Sequence, residues 1–281
     1  MKLSKKQIQQ YEEDGFLFFP GYFSEKEVSI LQRELSRLPE GDPGRMVEND
    51  NKTVRALHGC HTHSEIFKRL IQHPRLLEPV QQILKELVYL YQFKINMKAA
   101  FTGDAWPWHQ DYVFWYKEDG MPTPEVVNIS IFLDEVNHFN GPLYLIPGSH
   151  KEGMVDVEAQ IPNSGDKDAD WQANVSANLK YCLNQTNVAQ MVEKGGMVAP
   201  VGPRGSVLFF HGNVAHASVP NISPYDRRII IITYNSIKNI PISKGKPRPE
   251  FLVCQDYVPL QPARDDVLLQ QTNGQMIIAC S

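Results

Sequence analysis

The chain has 281 residues, 42% apolar and 21% charged, with a formal net charge of −4. That is enough for one β-rich domain whose core needs no disulfide support, with the composition of a soluble globular protein. The acidic balance and the lack of a basic block argue against electrostatic binding to nucleic acid, and no apolar run is long enough to span a bilayer.

Residues 4–14 carry helical spacing, with Ser4 as N-cap and Gly15 as the stop. Phe16-Leu17-Phe18-Phe19 is a short apolar strand ended by Pro20-Gly21. Ser24 and Glu27 have capping-box spacing, and Val28, Leu31, Leu35 and Leu38 then mark one helix face. The polar stretch from Glu40 to Lys52 is expected to be a loop, and Thr53 to Leu57 a strand. His58, Cys60, His61 and His63 follow. Their spacing fits neither paired cysteines nor helical His-x3-His, so polar contacts in or near a pocket are expected rather than structural zinc. Two helices are expected over 64–72 and 75–86, separated by His73-Pro74. Val88 to Asn96 is rich in β-formers. Its alternation puts Gln92, Lys94 and Asn96 on one face, toward solvent or toward a ligand.

Trp106-Pro107-Trp108-His109-Gln110-Asp111 carries the densest chemistry. On an extended strand, residues i and i+2 project from the same face. His109 and Asp111 then reach one metal ion while Gln110 points away. Alone, such a pair is common on surface strands. A third ligand is available after the buried apolar run Val207 to Phe210: His216 is the best candidate, with His211 a competitor five residues earlier. Two histidines and a carboxylate on one side of an ion form the facial triad of non-haem Fe(II) oxygenases, which leaves the opposite face open for a cosubstrate and O2. Arg227 follows His216 by eleven positions across strand-rich sequence, an order that suits a double-stranded β-helix binding iron and 2-oxoglutarate.

The aromatic run Tyr112 to Tyr116 reads mostly as core, Glu118 to Pro122 as a loop and Val126 to Leu133 as a strand. Asn140-Gly141-Pro142 leads by a turn into Leu143 to His150. Residues 151–196 are polar without a strong period, an insertion or lid; 197–236 return to strands, and Lys244 to Pro249 is a Pro-rich connection. With no internal repeat or second core, a single domain over 1–281 is expected, with helical additions over about 4–86. Cys60, Cys182, Cys254 and Cys280 lack paired spacing, and Met1 to Gln7 lacks a signal-peptide core. Reduced thiols and a cytoplasmic protein are expected.

Several of these segments resemble the phytanoyl-CoA dioxygenase-like family of Fe(II)/2-oxoglutarate oxygenases. They are Thr53 to Leu57, Gln92 to Lys98, Trp108 to Asp111, Phe209 to His211, Asn221 to Pro224, Ile231 to Asn235 and Pro247 to Glu250. The resemblance spans nearly the whole sequence. It is nearest to bacterial free-amino-acid hydroxylases, above all leucine 5-hydroxylases. Ectoine hydroxylases are more distant and share Asp119-Gly120-Met121-Pro122. The stretch from His58 to Cys60 departs from the leucine-hydroxylase pattern and 151–196 matches it poorly, so substrate selectivity could change there.

The resemblance implies a mainly β fold with flanking helices, a double-stranded β-helix of the jelly-roll, cupin-like kind. It implies iron on His109, Asp111 and His216, since the family ligand is followed two residues later by Ser or Thr, here Ser218. Arg227 would pair with the distal carboxylate of 2-oxoglutarate as a planar fork. Its neighbour Arg228 would face the opposite way. Ser218 would add a hydroxyl and Asn96 would support the cosubstrate. Gln92, Lys94 and Trp115 would lie toward the substrate. Arg55 and Arg248 are candidates for a substrate carboxylate, although Arg248 also reads as a surface ion pair. Phe114, Phe210 or Ile231 would hold an apolar side group. The expected reaction hydroxylates an unactivated C–H bond in a free aliphatic L-amino acid, leucine first, with release of succinate and CO2. A retained Asp111 favours hydroxylation over halogenation. The alternatives are a cyclic amino acid, an ectoine-like solute or a carrier-tethered substrate, and, in another class, a non-catalytic metal-binding β-helix protein.

Overall fold

Alternation of residues along the long strands decides the layers of this protein. The computed structural model describes residues 2–159, 179–242 and 247–270. In sequence order run α1 (Lys5–Asp14), β1 (Phe16–Phe19), α2 (Glu25–Leu35), β2 (Arg45–Val47), β3 (Val54–His58), α3 (Glu65–Leu70), α4 (Pro74–Leu84) and β4 (Val88–Lys98). Then come β5 (Trp106–His109), α5 (Asp111–Phe114), β6 (Val126–Phe132), β7 (Leu143–Leu145), α6 (Gln185–Gly195), β8 (Val207–His211), β9 (His216–Ser218) and β10 (Arg227–Ser236). A seven-stranded sheet has the order β1-β8-β6-β10-β4-β3-β2, and a three-stranded sheet the order β5-β9-β7. Every strand pair is antiparallel. This is the expected double-stranded β-helix with flanking helices.

One face of the large sheet is apolar. Phe93 and Ile95 of β4, Val127, Ile129 and Ile131 of β6, and Ile230, Ile232 and Tyr234 of β10 share a core with Tyr11, Val28, Leu31, Phe67, Leu76 and Val80 of the helices. Full burial of such a residue is worth about 1.5–3 kcal/mol, so this layer fixes the register. A slip of one residue would turn the whole row over. The alternate residues face the small sheet. Gln92, Lys94, Asn96, Arg227, Ile229 and Ile231 line a cavity together with His109, His216, Ser218 and Leu143.

The helix ends follow the sequence. Ser4 caps α1 by accepting from the Gln7 amide, and Ser24 and Glu27 form a reciprocal capping box on α2. Gly15 ends α1 at φ +81°, where an added Cβ would stand 2.5 Å from His150 and Val214.

Elsewhere the structure corrects the reading. The polar stretch from Glu40 to Lys52 contains β2, three half-buried residues too few to show a period. Asp111 is not on the strand of His109. The strand ends at His109, Gln110 keeps extended dihedrals (φ −117°, ψ 126°), and Asp111 opens α5. The expected loop at Glu118 begins instead inside a π-helical turn, Trp115–Asp119. Within 151–196, α6 buries Met191 in a small apolar cluster, while 160–178 lie outside the described residues. So do residues 244–246 of the Pro-rich connection, and Cys280. Cys60, Cys182 and Cys254 are unbridged. Among the described residues, no helix is long and apolar enough to cross a membrane.

Candidate active site

Pairing of β5 with β9 sets His109 opposite His216. The turn after β5 adds Asp111. Potential ligand atoms of these three residues lie within 4.8 Å of one another, all buried. His109 Nε2 is 3.6 Å from Asp111 Oδ1, and His216 Nε2 is 3.8 Å from Asp111 Oδ2. Such separations suit donors that each stand about 2 Å from one ion. Backbone carbonyls orient both rings. His109 Nδ1 lies 2.6 Å from Pro107 O and His216 Nδ1 lies 2.9 Å from Val214 O. With Nδ1–H donating, each Nε2 lone pair is free for a metal. Burial, then His109, pushes His216 down to about 4, in its neutral ligand form.

Asp111 is also held. Asn128 donates to its Oδ2 at 2.8 Å, and Thr233 donates to Asn128 Oδ1 at 2.6 Å. Burial alone would raise its carboxyl, but Lys94, His216 and His109 outweigh burial and hold it well below the usual carboxylate range. Gln110 points away as expected, bonded to Gly153 O, Asn213 O and the Val155 amide. His211 stands apart. Its Nδ1 accepts from the Asn213 amide at 3.0 Å and its ring packs on His150.

A second set of polar groups lies in the same cavity without partners among the described residues. Arg227 is 2% exposed, and its Nε and Nη1 are buried with no acceptor. Ser218 Oγ and Asn96 Oδ1 are likewise buried and unbonded. Orphaned buried donors are costly, so this pocket is built for an acidic guest. Burial lowers the Arg227 guanidinium to about 9, a penalty that a bound carboxylate would offset. These groups fit 2-oxoglutarate, as the histidine–carboxylate set fits iron. Arg228 points the other way, onto Asp134 at 2.6 and 2.8 Å.

The remaining wall gathers Gln92, Lys94, Trp115, Phe114, Phe210, Ile231 and Arg248, all expected toward the substrate. Arg248 is no surface pair. Its side chain is only 10% exposed, with Nε 2.7 Å from Asp119 Oδ1, and Tyr91 donates to the same carboxylate. Asp119 holds the guanidinium charged against burial. Arg55 departs from expectation, because it does not line the cavity. It falls where the β2–β3 register shifts, so it faces no β2 residue. Its guanidinium meets Glu48 at 2.9 Å and Ala105 O at 2.8 Å, and it lies over the Trp106 ring. Of the histidine cluster, His58 lines the cavity, His61 packs on Phe93 and His63 pairs with Asp42. Leu143, Leu179 and Leu252 complete the wall. Sequence reading misses these three, which carry no motif of their own, and the Asn128–Thr233 support, which depends on the β6–β10 register rather than on either segment alone.

Residues 11–229 match the family described as phytanoyl-CoA dioxygenase (PhyH). The protein is 40% identical over 260 residues to L-proline trans-4-hydroxylase of Streptomyces griseoviridis, covering 92% of its own length and 96% of the relative. It is 36% identical over 263 residues to the ectoine dioxygenase of Bordetella bronchiseptica, covering 90% and 83%. Its structure is similar to EctD from S. alaskensis. With 2-oxoglutarate and 5-hydroxyectoine bound, EctD matches at TM-score 0.77 and 27% identity, over 93% of the present protein and 87% of EctD. With Fe bound, it matches at TM-score 0.75 and 28% identity, over 93% and 88%.

Proposed function

The protein belongs to the phytanoyl-CoA dioxygenase family and is an Fe(II)/2-oxoglutarate-dependent oxygenase, and from that premise we propose that it hydroxylates a free cyclic amino acid, L-proline first. The observation that carries the reading is the single cavity holding both the His109–Asp111–His216 cluster and the unpartnered Arg227. The relatives named above replace leucine as first choice. Proline and ectoine are both ring compounds bearing a carboxylate, so the cyclic alternative fits them and leucine finds no support.

Iron with 2-oxoglutarate and O2, when bound, supplies the oxidation of a C–H bond to an alcohol, with succinate and CO2 as the other products. His109, Asp111 and His216 would hold the iron; Arg227, Ser218 and Asn96 would hold 2-oxoglutarate. The protein's own work is orientation. Pro107 O and Val214 O fix the imidazoles, and Asn128 keeps Asp111 from swinging. Arg227 and Ser218 anchor one end of the cavity. Arg248, steadied by Asp119, and Lys94 offer cations to the substrate carboxylate. Trp115, Phe210, Ile231 and Leu252 form a wall for an apolar ring and exclude water. Holding one carbon in place is where such a site gains its rate.

The test is to give enzyme, Fe(II), ascorbate and 2-oxoglutarate to L-proline, L-leucine and ectoine in parallel and to weigh the products. A proline product heavier by one oxygen, with leucine poor, is expected. Efficient turnover of leucine or ectoine with proline inert would overturn the choice of substrate.

A further inference from the structure

We propose that His58 receives the substrate's amino nitrogen, its Nε2 accepting an N–H while Arg248 holds the carboxylate. This rests on the amino-acid reading above. His58 ends β3 opposite Lys94 in the sheet register, and both line the cavity. Its Nδ1 lies 3.1 Å from Gly44 O, which fixes that nitrogen as the donor. A Cβ on Gly44 would stand 2.2 Å from His58 O, so this approach requires glycine. The Nε2 lone pair then has no partner among the described residues. Burial, followed by Lys94 and Arg248, pushes the ring down to about 3, so it stays a neutral acceptor at any working pH.

Elimination leads to the same residue. A buried ammonium needs acceptors. Of the polar groups in the lining, His109, Asp111 and His216 face the metal position, and Asn96 and Ser218 belong with Arg227. Lys94, Arg227, Arg248 and the indoles of Trp106 and Trp115 can only donate. That leaves His58 Nε2 and the Gln92 carboxamide oxygen. Gln92 stands two residues from Lys94 on β4, diagonal to His58 across the strand pair. A secondary ammonium such as that of proline offers two N–H donors, one for each acceptor.

The test pairs a variant with a substrate analogue. In His58→Asn the near nitrogen still donates to Gly44 O while the far acceptor is gone. Calorimetry on enzyme loaded with Mn(II) and 2-oxoglutarate should show L-proline binding weakened about 10- to 100-fold, the range of a charge-assisted hydrogen bond. Cyclopentanecarboxylate, which has the ring and carboxylate but no nitrogen, should bind variant and wild type alike, and 2-oxoglutarate affinity should not move. His58→Gln, which returns an oxygen toward the cavity, should recover part of the loss. Unchanged proline binding in His58→Asn overturns the assignment. Equal losses for proline and the carbocycle overturn it too, because they mark a structural role. If the wild type binds no free amino acid, the substrate reading fails first and this assignment falls with it.

Discussion

The same small device recurs at His109 and His216: a carbonyl two residues earlier accepts a hydrogen bond from Nδ1–H and leaves the Nε2 lone pair for a metal. Asp111, placed by one extended residue and a helical start, completes a set with no fourth protein ligand among the described residues. His109→Ala, Asp111→Ala and His216→Ala are each expected to abolish turnover and to weaken Fe(II) binding measured by metal analysis after desalting. His211→Ala should keep its iron, since that ring is tied to Asn213 and His150. Loss of iron in His211→Ala with retention in His216→Ala would contradict the triad. Arg227 makes a separate prediction. Removing a desolvated charge that pairs with a carboxylate costs about 2–5 kcal/mol. Arg227→Ala should therefore raise the KM for 2-oxoglutarate at least about 30-fold, with the KM for proline nearly unchanged. Equal rises in both would place the arginine at the substrate instead.

At the scale of elements, the β-strands are the legible part. Alternation in Val88 to Asn96 sets Gln92, Lys94 and Asn96 on one face, and that face is the cavity. Helix caps at Ser4, Gly15 and Ser24 are equally plain, because one hydroxyl or one φ decides them. What stays hidden depends on contacts distant in sequence. The β2–β3 register shift takes Arg55 to Glu48, and nothing local signals it. The π-helical turn that brings Asp119 to Arg248 is stabilised by tertiary bonds rather than by propensity. Leu179 and Leu252 reach the wall from loops. His58 stands out in the sequence without a role, because its role depends on Gly44, fourteen positions earlier. One element also makes a pH prediction. Glu27 caps α2 and reaches Arg75 of α4. Burial opposes its charge, but the nearby His73 ring, bonds from Ser24 and the Arg75 guanidinium hold it down to about 2. A depressed carboxyl contributes stability above its unfolded value, 4.5, and loses it as pH falls toward 2. Wild type should exceed Glu27→Gln by about 2–3 kcal/mol at pH 6 in urea unfolding. The gap should close between pH 4.5 and 2, and a gap independent of pH would refute the linkage.

Taken whole, the molecule is a two-sheet sandwich whose outer face is stabilised by the helices and whose inner face is left polar for guests. Arg227, Ser218 and Asn96 keep buried polar atoms without a partner among the described residues, so guests that supply those partners should stabilise the fold. Ligands that bind only the folded protein stabilise it by mass action, about 2.7 kcal/mol at a hundred times Kd. Mn(II) with 2-oxoglutarate should thus raise the melting temperature by about 5–10 °C, and Arg227→Ala should lose most of that rise. The proposed activity couples consumption of 2-oxoglutarate to oxidation of a cyclic amino acid in this cavity. The direct measurement is succinate and hydroxylated proline, counted together in a single reaction with Fe(II) and O2. The prediction is one succinate for each hydroxyproline in wild type and neither product in Asp111→Ala. Wild-type succinate that forms at the same rate with and without proline, and no hydroxylated product, would contradict it.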